Sequence, residues 1–178
     1  MDGKRIALKA PANSCSTFFN YKQFHSIILM AVVDAHYRVI MSDVGVNGHN
    51  SDAGVFASSA ISSALETNTL HIPPERALPG RATAIPHVIV GDEAFPLKSH
   101  LMKPYPARGL KEEHRLFNYI LSRARRVSEN CFGILVNRFA VLSHEMNLGP
   151  ETATTVLYTT SCELNAMFDI HRTSEDQI

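Results

Sequence analysis

Cysteine is scarce in this chain: three thiols, at 15, 131 and 162, stand far apart and in no C-x-x-C pair. A disulfide framework and a cysteine-held zinc cage are therefore excluded, and the pattern fits a reducing compartment. Long apolar runs are missing as well. None approaches the roughly 18 residues that a membrane span needs, and Met1-Asp2-Gly3-Lys4-Arg5 is not followed by the apolar stretch of a secretory leader. The expectation is a soluble, intracellular protein. Net charge is absent too, with 17 basic side chains balancing 17 acidic ones, so a nucleic-acid role must rest on where the charges sit rather than on their sum. The nine histidines form no H-x-x-x-H or H-E-x-x-H pair and none is placed near a cysteine, which removes the usual zinc sites. There is no G-x-S-x-G, no P-loop and no dinucleotide fingerprint, so serine-hydrolase, NTPase and Rossmann readings have no support. Internal repeats and low-complexity tracts are also lacking.

What is present is a chain of 178 residues, 45% hydrophobic, long enough for one well-filled domain. Residues 4–9 have extended character, and Lys9-Ala10-Pro11 ends that run because a residue preceding proline leaves the helical region. Residues 12–24 read as a polar, aromatic loop or hairpin. Residues 26–33 (SIILMAVV) are a nearly continuous apolar run, as expected of a strand covered on both faces. A turn at 34–36 leads to a second strand over 37–44, giving an antiparallel hairpin, and a glycine-containing loop over 45–50 follows. A helix starts at Asn50 or Ser51, with Val55, Phe56, Ala60 and Leu65 facing inward. Prolines and a glycine make 73–80 irregular, and residues 87–91 form a short buried strand ending at Asp92. Residues 96–113 are a basic, proline-punctuated insertion. A long helix is expected over 113–139, with an apolar stripe at Ile120, Ala124, Val127, Cys131, Ile134 and Leu135. A last helix covers 151–168, and residues 169–178 form a polar tail. Early strands followed by alternating elements imply an α/β fold: a mixed sheet with helices packed on it.

Four acids fall where elements begin or end, or inside the long helix: Asp2, Asp52, Asp92 and Glu129. Carboxylates converging from separate elements suit magnesium or manganese, since hard cations take oxygen ligands, and two such ions about 4 Å apart serve phosphodiester hydrolysis. Each acid also has a plainer reading. Asp52 in a first helical turn complements the helix dipole; Asp92 after Gly91 suits a turn; Glu129 can pair with Arg125 or Arg126 along one helical face; Asp2 can be a loose terminus. Between Lys98 and Arg126 there are eight basic residues and two acids, a local excess of six. That concentration fits phosphate binding or a solvated helix face.

Several blocks, in order, resemble the Harbinger-type transposase-derived nucleases, the family with a DDE superfamily endonuclease domain. They are residues 1–6 (MDGKRI) with 9–11 (KAP), and 24–27 (FHSI) with 31–35 (AVVDA). Next come 44–48 (VGVNG) leading to Ser51-Asp52 and Val55-Phe56, and 90–97 (VGDEAFPL). The last is the helical block 117–119 (FNY), 122–127 (SRARRV), Glu129-Asn130 and Phe132-Gly133. The resemblance covers roughly residues 1–168 and implies a ribonuclease H-like fold, in which acids come from the first strand, the first helix, the fourth strand and a later helix. Carried over by position, Asp2, Asp52, Asp92 and Glu129 are the catalytic residues and hold Mg²⁺ or Mn²⁺, and Arg123, Arg125 and Arg126 contact DNA. DNA and a DNA-binding helper protein are the implied partners, no membrane is involved, and the nucleus is the expected location, with the cytoplasm second. Set against the family pattern, the chain is expected to begin one residue ahead of its first acid, without the apolar half of that strand or the upstream helical domain. It also departs from the pattern at Ile120, Ser128, Ala140 and around Leu164-Asn165-Ala166. The rival expectations are a domesticated or decayed module that binds DNA or protein without cutting, and a fragment that does not fold stably alone.

Overall fold

A computed structural model describes residues 1–11 and 14–175. Its centre is the apolar run expected to be covered on both faces: strand β2 (Ser26–Val33), buried along almost its whole length. It pairs antiparallel with β1 (Asp2–Ala7) on one side and β3 (Val39–Asn47) on the other. Successive side chains of a strand point to opposite faces, and β2 uses both. Ile27, Leu29 and Ala31 pack into a cluster with Ile6, Cys131, Phe132, Leu135 and Leu157. Ile28, Met30 and Val32 pack into a second cluster with Val55, Phe56, Ile61 and Phe95. The sheet is thus the middle of three layers. Helices α1 (Asp52–Ser58) and α2 (Ala60–Glu66) cover one face; α3 (Glu112–Arg138) and α4 (Pro150–Glu175) cover the other.

The remaining strands are short. β4 (Arg76–Ala77), within the stretch expected to be irregular, and β5 (Ala84–Ile85), just beyond it, form an exposed hairpin. β6 (Ile89–Val90) pairs in parallel with β7 (Leu101–Met102), a strand inside the segment expected to be an insertion. The result is a mixed α/β architecture of small sheets and helices. The nitrogen of Met1 donates to the carbonyl of Val90 at 2.7 Å, which sets the start of β1 beside the end of β6. No helix among the described residues is long and apolar enough to cross a membrane.

Two expectations need correction. The helix starting after Ser51 does not continue through Ala60. It breaks at Ser59, which is extended (φ −79°, ψ 154°) and whose hydroxyl accepts from Ser62 N–H, while Asp43 accepts from Ala60 N–H at 2.7 Å. Two capping oxygens at the break satisfy N–H groups that a continuous helix would have satisfied internally, and Ala60 is left exposed. In α3 the expected stripe holds at Cys131, Ile134 and Leu135, but its first half is turned. Leu121, Ser128, Cys131, Phe132 and Leu135 are buried, with Arg125 in the same row, whereas Ile120 and Ala124 face solvent. The spacing from 121 through 125, 128, 132 and 135 is helical, but two of its members are polar. Along this half of α3 Arg125 meets the Asp2 carboxylate and Ser128 Oγ accepts from the Met1 nitrogen, so apolarity does not mark the inner face.

Candidate metal centre

Asp2, Asp52 and Asp92 each bring one carboxylate oxygen to within 4.8 Å of the other two. Three local features make this approach possible. Asp2 opens β1, whose first residues lie beside the end of β6, where Asp92 follows Gly91. Asp52 is the first residue of α1, fixed by the Ser51 side chain accepting from Gly54 N–H. Asp52 then comes over Gly3: a Cβ there would sit 3.0 Å from Asp52 Oδ1 and 3.1 Å from its Cγ, so the missing side chain leaves the room. Asp92 is held by its own turn, with Oδ1 accepting from Ala94 N–H at 2.9 Å. Phe95, three residues on, is fully buried and meets Phe56 of α1 edge to face at 5.6 Å. A Cβ at Gly91 would lie 2.9 Å from the Phe95 ring. Glycine is what lets that ring tuck under the Asp92 turn.

Two arginines meet the acids from opposite sides. Gly3 and Arg5 share a face of β1, so Arg5 points to Asp52: its Nη1 lies 3.1 Å from Oδ1, with both side chains largely buried. The contact is an ion pair rather than a directed hydrogen bond, because its angles leave Asp52 Oδ1 and Arg5 Nε buried without hydrogen-bond partners. From α3, Arg125 places Nη1 at 3.4 Å from Asp2 Oδ2 and Nη2 at 2.6 Å from Glu129 Oε1. Glu129 therefore joins the site through Arg125 and is not one of the three clustered acids. Its side chain is 47% exposed, against 15% for Asp2 and 19% for Asp52. Of the two arginine pairings open to Glu129 in the sequence, Arg125 is the one formed. Among the three arginines of the expected DNA-contact group, Arg125 faces the acids, while Arg123 and Arg126 lie on the solvent side.

Burial pushes the carboxyls of both Asp2 and Asp52 above the ordinary range, and the negative charge of Asp92 adds to the shift in each. The Gly3 N–H and Arg125 oppose it at Asp2, and Arg5 opposes it at Asp52, without reversing it. Acids drawn out of water beside a like charge favour a bound cation. The donor set passes a test of fit for magnesium or manganese: all its atoms are carboxylate oxygens, and one of them, Asp52 Oδ1, is buried and lacks a hydrogen bond. Next to Asp92 a cleft of about 290 Å³ opens between the β6 end and α3, bordered by Glu93, Asn118, Ser122 and Arg125.

The sequence model of the DDE superfamily endonuclease family matches residues 1–164. The chain belongs to that family. No curated protein and no solved structure matches it. In this member of the DDE superfamily endonuclease family, Arg5 as the partner of Asp52 and Arg125 as the partner of Asp2 were not evident from sequence. For Arg5 the signal was present in the strand period, since position 5 shares a face with the glycine over which Asp52 lies. For Arg125 the signal was its place in the row of Leu121, Ser128 and Phe132.

Proposed function

We propose that this chain is the catalytic core of a divalent-metal-dependent DNA endonuclease of the Harbinger-type, transposase-derived class, with its acids in a ribonuclease H-like arrangement, acting in the nucleus. The observation that carries this reading is the meeting of three carboxylates from β1, the start of α1 and the end of β6 within 4.8 Å. Asp2, Asp52 and Asp92 would hold Mg²⁺ or Mn²⁺. When bound, such a cation supplies Lewis-acid polarisation of a phosphate oxygen and acidifies water. The protein's own part is positional and electrostatic. Arg5 offsets the charge of Asp52 and fixes its rotamer. Arg125 holds Asp2 from the α3 side and ties Glu129, the fourth acid, to it. Lys103, whose ammonium donates to the carbonyl of Glu93, is tied to a residue that borders the cleft and belongs to the basic segment 98–126, where a phosphodiester backbone would be held.

Plasmid nicking with added Mn²⁺, comparing the wild type with Asp92→Ala, tests the reading. Nicking by the wild type, reduced at least about a hundredfold in the variant, is expected, because even a 1 Å misplacement at a reacting centre costs on that order. Equal nicking by both proteins would count against this reading, and none by either with no Mn²⁺ heat in calorimetry would leave a module that binds DNA or protein without cutting.

A further inference from the structure

No large hydrophobic side chain among the described residues is more exposed than Tyr21, at 74%. A loosely held loop would account for that without a ligand, but this loop is fixed by its own hydrogen bonds. Its stem closes at the Phe19–His25 bridge, whose rings meet edge to face at 5.2 Å. At its centre the buried Asn20 donates from Nδ2 to Ser26 Oγ at 2.7 Å, and its Oδ1 accepts from Lys22 N–H at 2.8 Å. The Asn20 N–H donates to Phe24 C=O and its C=O accepts from Gln23 N–H, each at 3.0 Å. Gln23 takes a φ of 67° to complete the turn, a conformation imposed by its surroundings rather than by preference. One buried amide thus organises the loop and leaves Tyr21 and Lys22 facing outward.

The ring stands next to the acid cluster. Arg5 places its guanidinium carbon 4.8 Å from the Tyr21 ring centre, while its Nη1 meets Asp52 Oδ1 at 3.1 Å and its Nη2 donates to Asn50 C=O at 3.1 Å. A single guanidinium therefore separates the ring from a carboxylate of the site. The Lys22 ammonium lies 5.7 Å from the same ring centre, and its charge is felt at Asp52, where it works against the upward shift of that carboxyl. Residues 3–33 hold four Lys or Arg and no acid, so that stretch sets no carboxylate against a phosphate.

We infer that Tyr21 is a stacking platform for an unpaired base of the DNA strand bound at the acids, with Lys22 on that nucleotide's phosphate. The inference deepens the nuclease reading and rests on it for the identity of the strand. In a duplex the faces of the bases are covered by their neighbours, so a base must leave the stack to reach the ring. An aromatic ring for the base and a cation for the backbone is the combination by which proteins hold single strands. Arg5, held by Asp52, steadies the ring through a cation–π contact. Because the loop is ordered beforehand, little freedom is lost when a base settles on it. The arrangement calls for a strand that is single, frayed or opened on the Asp52 side of the cluster, across from the side that Arg125 meets.

The test is fluorescence anisotropy with a labelled single-stranded oligonucleotide and with its blunt duplex, in Ca²⁺, which also takes carboxylate ligands, in place of Mn²⁺. The proteins are the wild type, Tyr21→Ala, Tyr21→Phe and Lys22→Gln. Both altered side chains are exposed, and thermal melts control for folding. Tyr21→Ala should bind the single strand about tenfold more weakly, as for a lost base–aromatic stack, with duplex binding unchanged. Tyr21→Phe, which keeps the ring, should bind as the wild type does. Lys22→Gln should lower the salt dependence of single-strand binding by about one phosphate contact. Equal losses on single strand and duplex in Tyr21→Ala, no loss on either, or a Tyr21→Phe as weak as Tyr21→Ala overturns the inference, as does a wild type that binds neither oligonucleotide. So does disappearance of the Mn²⁺-induced rise in melting temperature in Tyr21→Ala, which would show the ring acting through Arg5 on Asp52. Plasmid nicking separates this contact from the larger reading. No nicking by the wild type, with a single-strand defect in Tyr21→Ala, defeats the nuclease and keeps the contact; nicking with unimpaired binding by Tyr21→Ala does the reverse.

Discussion

Two places in this molecule pair an aspartate with an arginine, and they do so to opposite effect. At the β2–β3 turn, the Asp34 carboxylate accepts from His36 N–H at 2.8 Å, from Arg38 N–H at 3.0 Å and from Arg38 Nε at 2.9 Å. Partial burial there raises the pKa, but those three donors outweigh it and hold the acid below its usual range. In the cluster of Asp2, Asp52 and Asp92, arginines also pair with the acids, at 3.1 and 3.4 Å, yet the carboxyls of Asp2 and Asp52 sit above their usual range. What differs is the number of directed donors and the like charges alongside. Asp34 is saturated, whereas Asp52 keeps an oxygen with no hydrogen bond in a buried setting. A carboxylate that closes a turn is complete in itself. One that is left short of donors among other acids has room for a cation.

The sharpest way to break this contrast is to supply the cation. Mn²⁺ at a hundred times its dissociation constant should stabilise the fold by about 2.7 kcal/mol, roughly 5–10 °C in melting temperature for a domain of this size. In Asp92→Asn, which keeps the oxygen that accepts from Ala94, the shift should vanish; a full shift in that variant would show that the ion binds elsewhere. Next in size is the loss of the saturated acid. Asp34→Ala should lower stability by about 2 kcal/mol in urea unfolding, from hydrogen bonds worth about 1 kcal/mol each. The two sites should also respond to pH with opposite sign. Asp34, with its folded pKa lowered, contributes stability that is present above an unfolded pKa of about 3.9 and is lost as pH falls through the folded value. Asp2 and Asp52, with folded pKa values raised, do the reverse in chelator: their burden grows as pH rises from about 3.9 through the folded values. Asp2→Asn in chelator should accordingly gain stability over the wild type only on the high-pH side, by less than Asp34→Ala loses. The smallest effect sharpens the geometry: Gly3→Ala, which crowds Asp52, should weaken Mn²⁺ binding about tenfold in calorimetry while the chelator-state melting temperature barely moves.

Much of the frame was legible from the chain alone, because it follows from hydrophobic burial. A run of seven apolar residues with turn residues on either side reads as a strand covered on both faces, and β2 is one. A serine ahead of a helical pattern capped α1, and the long helix fell within a residue of its observed ends. The acids at element ends were visible as candidates because strand and helix ends are where separate elements converge. What sequence could not show was decided by long-range polar contacts. The break at Ser59 depends on Asp43 reaching Ala60 from β3. The turned stripe of α3 depends on Arg125 facing Asp2, 123 residues away in sequence. Glu129 had two arginines within reach, and only the packed helix decides between them. α4 runs to Glu175, past residue 168 where its periodic pattern fades.

Phe56 and Phe95 hold a larger share of this site than their distance from any charge suggests. Phe56 lies one helical turn after Asp52, and Phe95 follows Asp92 by three residues, so the edge-to-face pair acts as a spacer between the supports of two ligands. Asp2 hangs from a different support, the paired backbone of β1. The aperture of the carboxylate cluster is thereby set by the thickness of two aromatic rings: a slimmer residue at either position would let two of the three acids drift while the third stayed anchored.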